Sequence, residues 1–277
     1  MDQAESLRRL VSKNRGLKIL TVASGKGGVG KTNLSANLGL LLAKGGLRVC
    51  LFDADLGLPN LDLVLGLSPK RTVGEALSCR LPLAEVLLTG PYGLGILAGG
   101  RDVNLAQLSG AQVENLASQL VELAGGYDLL LVDCGAGLAP AVRTFAVAAD
   151  WLLLVTTPDP SAVTDAYGLL KYLCQRQFAA AVGVVVNQTR SFQEGREVAQ
   201  RLQLAASRFL GLEEVSGWGQ VPFDEELVRL GRQGKPVVEG APHSLSAQSI
   251  KKLASLVEGK LGKAQPRPEG KLRKLWE

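Results

Sequence analysis

The chain has 277 residues, 46% hydrophobic and 21% charged, enough apolar material for one large α/β core and too much for a disordered, collagenous or coiled-coil chain. Its four cysteines (Cys50, Cys79, Cys134, Cys174) form no C-x-x-C pair, which excludes a disulfide scaffold and a cysteine zinc site. The net charge of +5 belongs to the ends: residues 1–18 carry +3, residues 251–277 carry +5, and the body between them −3.

Residues 1–17 read as a short amphipathic segment ahead of the folded body. Asp2 is placed to cap a helix with Glu5 three residues on. Ala4, Leu7 and Val11 share one face, and Arg8 and Arg9 suit its C-terminal end. Such a helix is too short to hold alone and is expected to order on a partner's groove. The segment lacks the apolar stretch of a signal peptide, and no run reaches the roughly 18 residues of a membrane span, so a cytoplasmic address is expected.

From residue 18 to 262, near-continuous apolar runs alternate with helical patterns. KILTVAS (18–24), LRVCLFD (47–53), LGILA (94–98), DLLLVD (128–133), WLLLVTT (151–157) and AVGVVVN (181–187) predict buried parallel strands. Helices are predicted near 31–44, 109–124, 138–149, 160–176 and 194–210. A last strand lies within 215–224, followed by helices near 224–233 and 244–262. This alternation predicts a doubly wound α/β fold: a mostly parallel sheet with helices on both faces. Residues 263–270 read as a linker with two prolines, leaving KLRKLWE as an appended tail.

The first strand runs into Gly25-Lys26-Gly27-Gly28-Val29-Gly30-Lys31-Thr32 and then a helix, the full G-x-x-x-x-G-K-[ST] phosphate loop in its required context. Backbone N–H groups of such a loop cradle phosphates, Lys31 supplies charge to the β- and γ-phosphates, and the Thr32 hydroxyl is a Mg²⁺ ligand. Asp133 ends another apolar strand and is placed to hold the magnesium hydration shell, with Gly135 and Gly137 following. Asp53 and Asp55 leave the second strand together. One serves magnesium through water and the other orients the attacking water, or one of them only caps a turn.

Lys26 departs from a generic loop, because a second lysine there does not easily reach its own γ-phosphate beside Lys31. KGGVGKT resembles the deviant Walker A loop of the MinD/ParA ATPases, in which that lysine crosses a dimer interface to the partner's ATP. FDADLGLPNLDLVLG (52–66) is similar to the family's switch I. The resemblance implies a P-loop NTPase fold and an ATP- and Mg²⁺-dependent homodimer. It makes Asp55 the water-orienting acid, Asp53 a magnesium-side acid and Asn60 a switch residue near the phosphates. Asn187 would contact adenine, and Pro222 and Asp224 would lie in the loop lining the base.

Three segments resemble the flagellar-number branch of that family (FlhG, YlxH or FleN). These are Asp2-Gln3-Ala4-Glu5-Ser6-Leu7-Arg8, TTPDPSAVTDAYGLLKYL (156–173), and Asn33 after the loop threonine. The branch implies that Asp2, Gln3, Ala4, Leu7 and Arg8 stimulate the GTPase FlhF, and that flagellar C-ring proteins are further partners. The tail resembles the family's membrane-targeting helix. Leu272, Leu275 and Trp276 share a face, and Lys271, Arg273 and Lys274 point to anionic headgroups. One tail is marginal and two on an ATP dimer gain avidity, so the expected location is the inner membrane face when ATP is bound. A MinD-type division regulator and a ParA-type DNA-partition ATPase are the alternatives. The negative body speaks against specific nucleic-acid binding.

Overall fold

The computed structural model describes residues 17–56, 58–100, 110–176 and 178–262. The expected N-terminal activator segment and the tail with Leu272, Leu275 and Trp276 lie outside them, Leu17 excepted. Eight strands form one sheet: β1 (Lys18–Ser24), β2 (Val49–Asp53), β3 (Leu87–Thr89), β4 (Gly95–Leu97), β5 (Leu129–Ala136), β6 (Trp151–Thr156), β7 (Ala181–Thr189) and β8 (Val215–Pro222). Their order is β3-β4-β2-β5-β1-β6-β7-β8. Only β3 pairs antiparallel, with β4; every other neighbour is parallel.

Alternate strand residues feed two cores, one on each face of the sheet. Ile19, Phe52, Val132 and Leu154 pack with α4 (Gly110–Ala124), α5 (Pro140–Ala148), α6 (Pro160–Cys174) and α7 (Phe192–Leu210). Leu20, Leu51, Leu131 and Val155 pack with α1 (Lys31–Lys44), α8 (Glu225–Arg232), α9 (Val237–Gly240) and α10 (Leu245–Leu261). Phe52 meets Phe145 edge to face with centroids 5.5 Å apart. Fully burying side chains of this size contributes about 1.5–3 kcal/mol each, so the apolar runs predicted as strands also supply the driving force for the fold.

The expected doubly wound fold is present, with three additions between residues 54 and 94. α2 (Leu61–Leu65), α3 (Val73–Cys79) and β3 are each too short to show a period in the sequence. α3 is started by a reciprocal capping box between Thr72 and Glu75. β5 also runs three residues past Asp133, and β7 two past Asn187. At the far edge, β8 carries a bulge at Trp218, whose ring covers Gly183 and lies under the Lys260 ammonium at 4.7 Å.

Candidate functional site

Strands β1, β2 and β5 are neighbours, so their C-terminal ends bring Gly25–Thr32, Asp53–Asp55 and Asp133 to one edge. The loop from Gly25 to Gly30 turns back over β1, with Gly28 and Gly30 at φ 77° and 89°, where a side chain would be strained. Among the described residues no side chain caps α1, so its first-turn N–H groups and dipole are turned to the loop's concavity. Gly25 has a separate duty. A Cβ there would stand 2.1 Å from the Asp165 carbonyl, so α6 packs directly on the loop.

Asp133 is 1% exposed and accepts a hydrogen bond from the Ser35 hydroxyl at 2.9 Å, with the Thr32 side chain beside it. Burial raises its carboxyl to about 6, opposed by Thr32, by the buried Lys31 and by Ser35. A threonine hydroxyl and a carboxylate are the hard oxygen donors that magnesium prefers, so these residues fit the ion. Ser35 was not anticipated; it follows Thr32 by one turn less a residue, and its signal in the sequence is only that spacing.

Asp53, expected on the magnesium side, stands in register with Asp133 on the next strand. Its oxygens accept the backbone N–H groups of Asp55 (3.1 Å), Asn60 (3.2 Å) and Leu61 (3.2 Å). It therefore pins the loop between β2 and α2. Burial and then the neighbouring Asp133 push it up to about 8, against those three donors. Asp55 is half-buried beside Gly135, where a Cβ would stand 3.2 Å from its Oδ1. Burial raises its carboxyl and Lys31 opposes the rise. The exposed Asn60 side chain donates to the Leu58 carbonyl at 2.8 Å.

A cavity of about 410 Å³ opens beside the loop. The structure brings Gly28, Gly30, Asn33, Asn187, Pro222 and Asp224 together on its wall. The Asn187 amide also braces the loop, donating to the Val29 carbonyl at 2.7 Å and accepting the Gln188 N–H at 2.9 Å. Asp224 lines the wall while serving as an anchor: it caps α8 through the Glu226 N–H and accepts the N–H and hydroxyl of Ser246 on α10. Phe223, Val228, Gly231 and Arg232 complete the apolar and basic side of the cavity. Sequence reasoning missed the three on α8 because helical position alone does not say what a helix faces.

Lys26 lies outside its own loop's hollow. Its ammonium donates to the Asp159 carboxylate at 3.1 Å and the Ser161 hydroxyl at 2.5 Å, at the start of α6. The pair is exposed, with 41% and 51% of the two side chains open to solvent.

The family model for ParA, described as the NUBPL iron-transfer P-loop NTPase, matches residues 17–258. The chain is 38% identical to the antiactivator FleN of Pseudomonas aeruginosa over 252 residues, 91% of this chain and 90% of that protein. It is 35% identical to the flagellum site-determining protein YlxH of Helicobacter pylori over 246 residues, 88% of this chain and 83% of that protein. Its fold is similar to the septum site-determining protein MinD of Pyrococcus horikoshii, solved with Mg-ADP: TM-score 0.71, 27% identity, covering 90% of this chain and 100% of that one.

Proposed function

Because the chain belongs to the ParA family of P-loop NTPases and matches the FleN and YlxH members over most of its length, we propose that it is an ATP-hydrolysing regulator of flagellar number and placement. The observation that carries the ATPase reading is one connected site: an uncapped helix start, a buried Lys31, and Thr32 and Ser35 on the buried Asp133. Bound magnesium supplies positive charge to the phosphates, held by the Thr32 hydroxyl and the Asp133 side. The loop N–H groups and Lys31 bind and orient the triphosphate. Asp55 positions the attacking water, and Asp53 keeps the loop carrying Asp55 in place. The cavity beside the loop takes the base and ribose. Four cysteines with no C-x-x-C, two of them buried, support nucleotide hydrolysis over iron transfer.

In this reading Lys26 leaves Asp159 and completes the partner's site in an ATP-bound homodimer, so turnover is slow until two chains meet. The ATP dimer sits on the inner membrane face through its two tails, the N-terminal segment stimulates FlhF, and flagellar C-ring proteins are further partners. FlhF GTP hydrolysis measured with the full chain, with ATP and a chain lacking residues 1–17, tests the regulatory half. Acceleration that depends on those residues is expected, and equal rates with and without them overturn it. A septum-site regulator is the second reading, supported by the likeness to MinD. Capture of a MinC-type partner rather than FlhF favours it.

A further inference from the structure

Two glycines join the cavity wall to the switch loop. Gly66 ends α2 at φ 63°, and Gly234 turns the chain after α8 at φ 64°. They lie backbone against backbone. A Cβ on Gly66 would stand 2.5 Å from the Gly234 carbonyl oxygen; one on Gly234 would stand 2.9 Å from the Leu63 carbonyl oxygen and 3.0 Å from the Gly66 Cα. Only two residues without side chains allow this contact.

Each side of the contact is tied into a functional element. Gly234 donates to the Gly231 carbonyl at 3.2 Å and Lys235 to the Leu230 carbonyl at 3.0 Å, so the turn moves with α8. Gly231 in turn lines the cavity, and a Cβ on it would stand 3.1 Å from the Asn33 side chain. On the other side, Leu67 donates to the Asp62 carbonyl and Val64 to the Asn60 carbonyl, which makes Gly66 and α2 one piece. The N–H groups at the start of that piece, on Asn60 and Leu61, hold Asp53.

We infer that the Gly66–Gly234 contact makes occupancy of the cavity by a nucleoside base set the position of the loop between Asp55 and Leu61. Gly66 and Gly234 are thus positioning residues for hydrolysis, acting through α2. A base settling against Val228, Gly231 and Arg232 fixes α8. Fixing α8 fixes the Gly234 turn, and close-packed backbone transmits that constraint without the slack of a side chain. The inference rests on the nucleotide reading of the cavity.

Hydrogen–deuterium exchange of the full chain with ADP or with pyrophosphate tests it. ADP is expected to slow exchange of residues 58–66 by about fivefold or more, the low end of ordinary coupling between sites, and pyrophosphate to leave it unchanged. Gly234→Asn, which tolerates the left-handed backbone but not the contact, keeps the slowing at 223–232 and loses it at 58–66. Gly211→Asn has the same φ, 65°, with nothing within 4 Å, and behaves as wild type. Equal slowing of 58–66 by the two ligands in the wild type, or its retention in Gly234→Asn, overturns the coupling. ADP that fails to slow 223–232 removes the base-pocket reading, and the coupling with it.

Discussion

The Lys26 ammonium is held by the Asp159 carboxylate of its own chain at 3.1 Å, beside the phosphate loop that carries it. The Ser161 hydroxyl and N–H, and then Lys26, hold Asp159 down at about 2. A carboxyl lowered in the folded chain contributes fully above its ordinary range and stops contributing only as pH falls towards 2. Above pH 5 the Asp159 carboxylate therefore stays ionised. Because its pair with Lys26 is exposed, salt weakens that contact.

Lys26→Ala is expected to fold and bind ATP normally. Phosphate release by the wild type is expected to rise faster than in proportion to enzyme concentration across a dimerisation range, and that excess is expected to disappear in the variant. Rates proportional to concentration in both proteins contradict the crossing lysine.

Gly25→Ala and Gly27→Ala separate packing from phosphate binding in one loop. The first puts a methyl group 2.1 Å from the Asp165 backbone, while the second has its nearest neighbour 4.0 Å away. Overpacking of this kind costs about 1–3 kcal/mol. Urea denaturation of the two variants is expected to show that loss for Gly25→Ala and near wild-type stability for Gly27→Ala.

Asp224 joins the starts of α8 and α10 through Glu226 and Ser246. Burial acts to raise its carboxyl, but the Ser246 hydroxyl and N–H, with Ser244 and Glu226, outweigh it and lower the net value. Asp224→Ala is expected to lose about 1–2 kcal/mol at pH 7, the worth of a good cap. The gap from wild type narrows as pH falls through the carboxylate range, because the contribution of a lowered carboxyl is lost on protonation. Denaturation midpoints at pH 7 and pH 3 check both statements.

Thiol labelling follows burial. Cys79 is exposed, Cys174 half-buried, and Cys50 and Cys134 buried. Burial pushes Cys50 up to about 12, and burial together with Asp133 pushes Cys134 well above the ordinary range. At pH 8 the native chain is expected to react quickly at Cys79, slowly at Cys174, and at Cys50 and Cys134 only after unfolding. Peptide mass mapping after a short pulse of an alkylating reagent distinguishes the four.

The phosphate loop and the strands β1, β2 and β4 to β7 were legible because each is written locally: a fixed motif, or a run buried on both faces. Asp133 was legible as the acid ending such a run. The backbone hold on Asp53 was not, since three N–H donors converge on it from residues up to eight positions away and the spacing alone does not fold that loop. The Lys26–Asp159 pair spans 133 residues and the Gly66–Gly234 contact spans 168, and neither leaves a periodic trace in the sequence. α2, α3 and β3 were missed for the opposite reason: they are too brief for any period to rise above the surrounding loop.

The bulge at Trp218 lies on the last strand of the sheet order. Among the described residues β8 has β7 as its one neighbour in the sheet, and an edge of that kind invites another chain to zip on. The extra residue breaks the even spacing of donors and acceptors along that rim and sharpens its twist. Copies of the chain at high concentration thus lack a straight rim to extend, and strand-by-strand growth into fibres is discouraged.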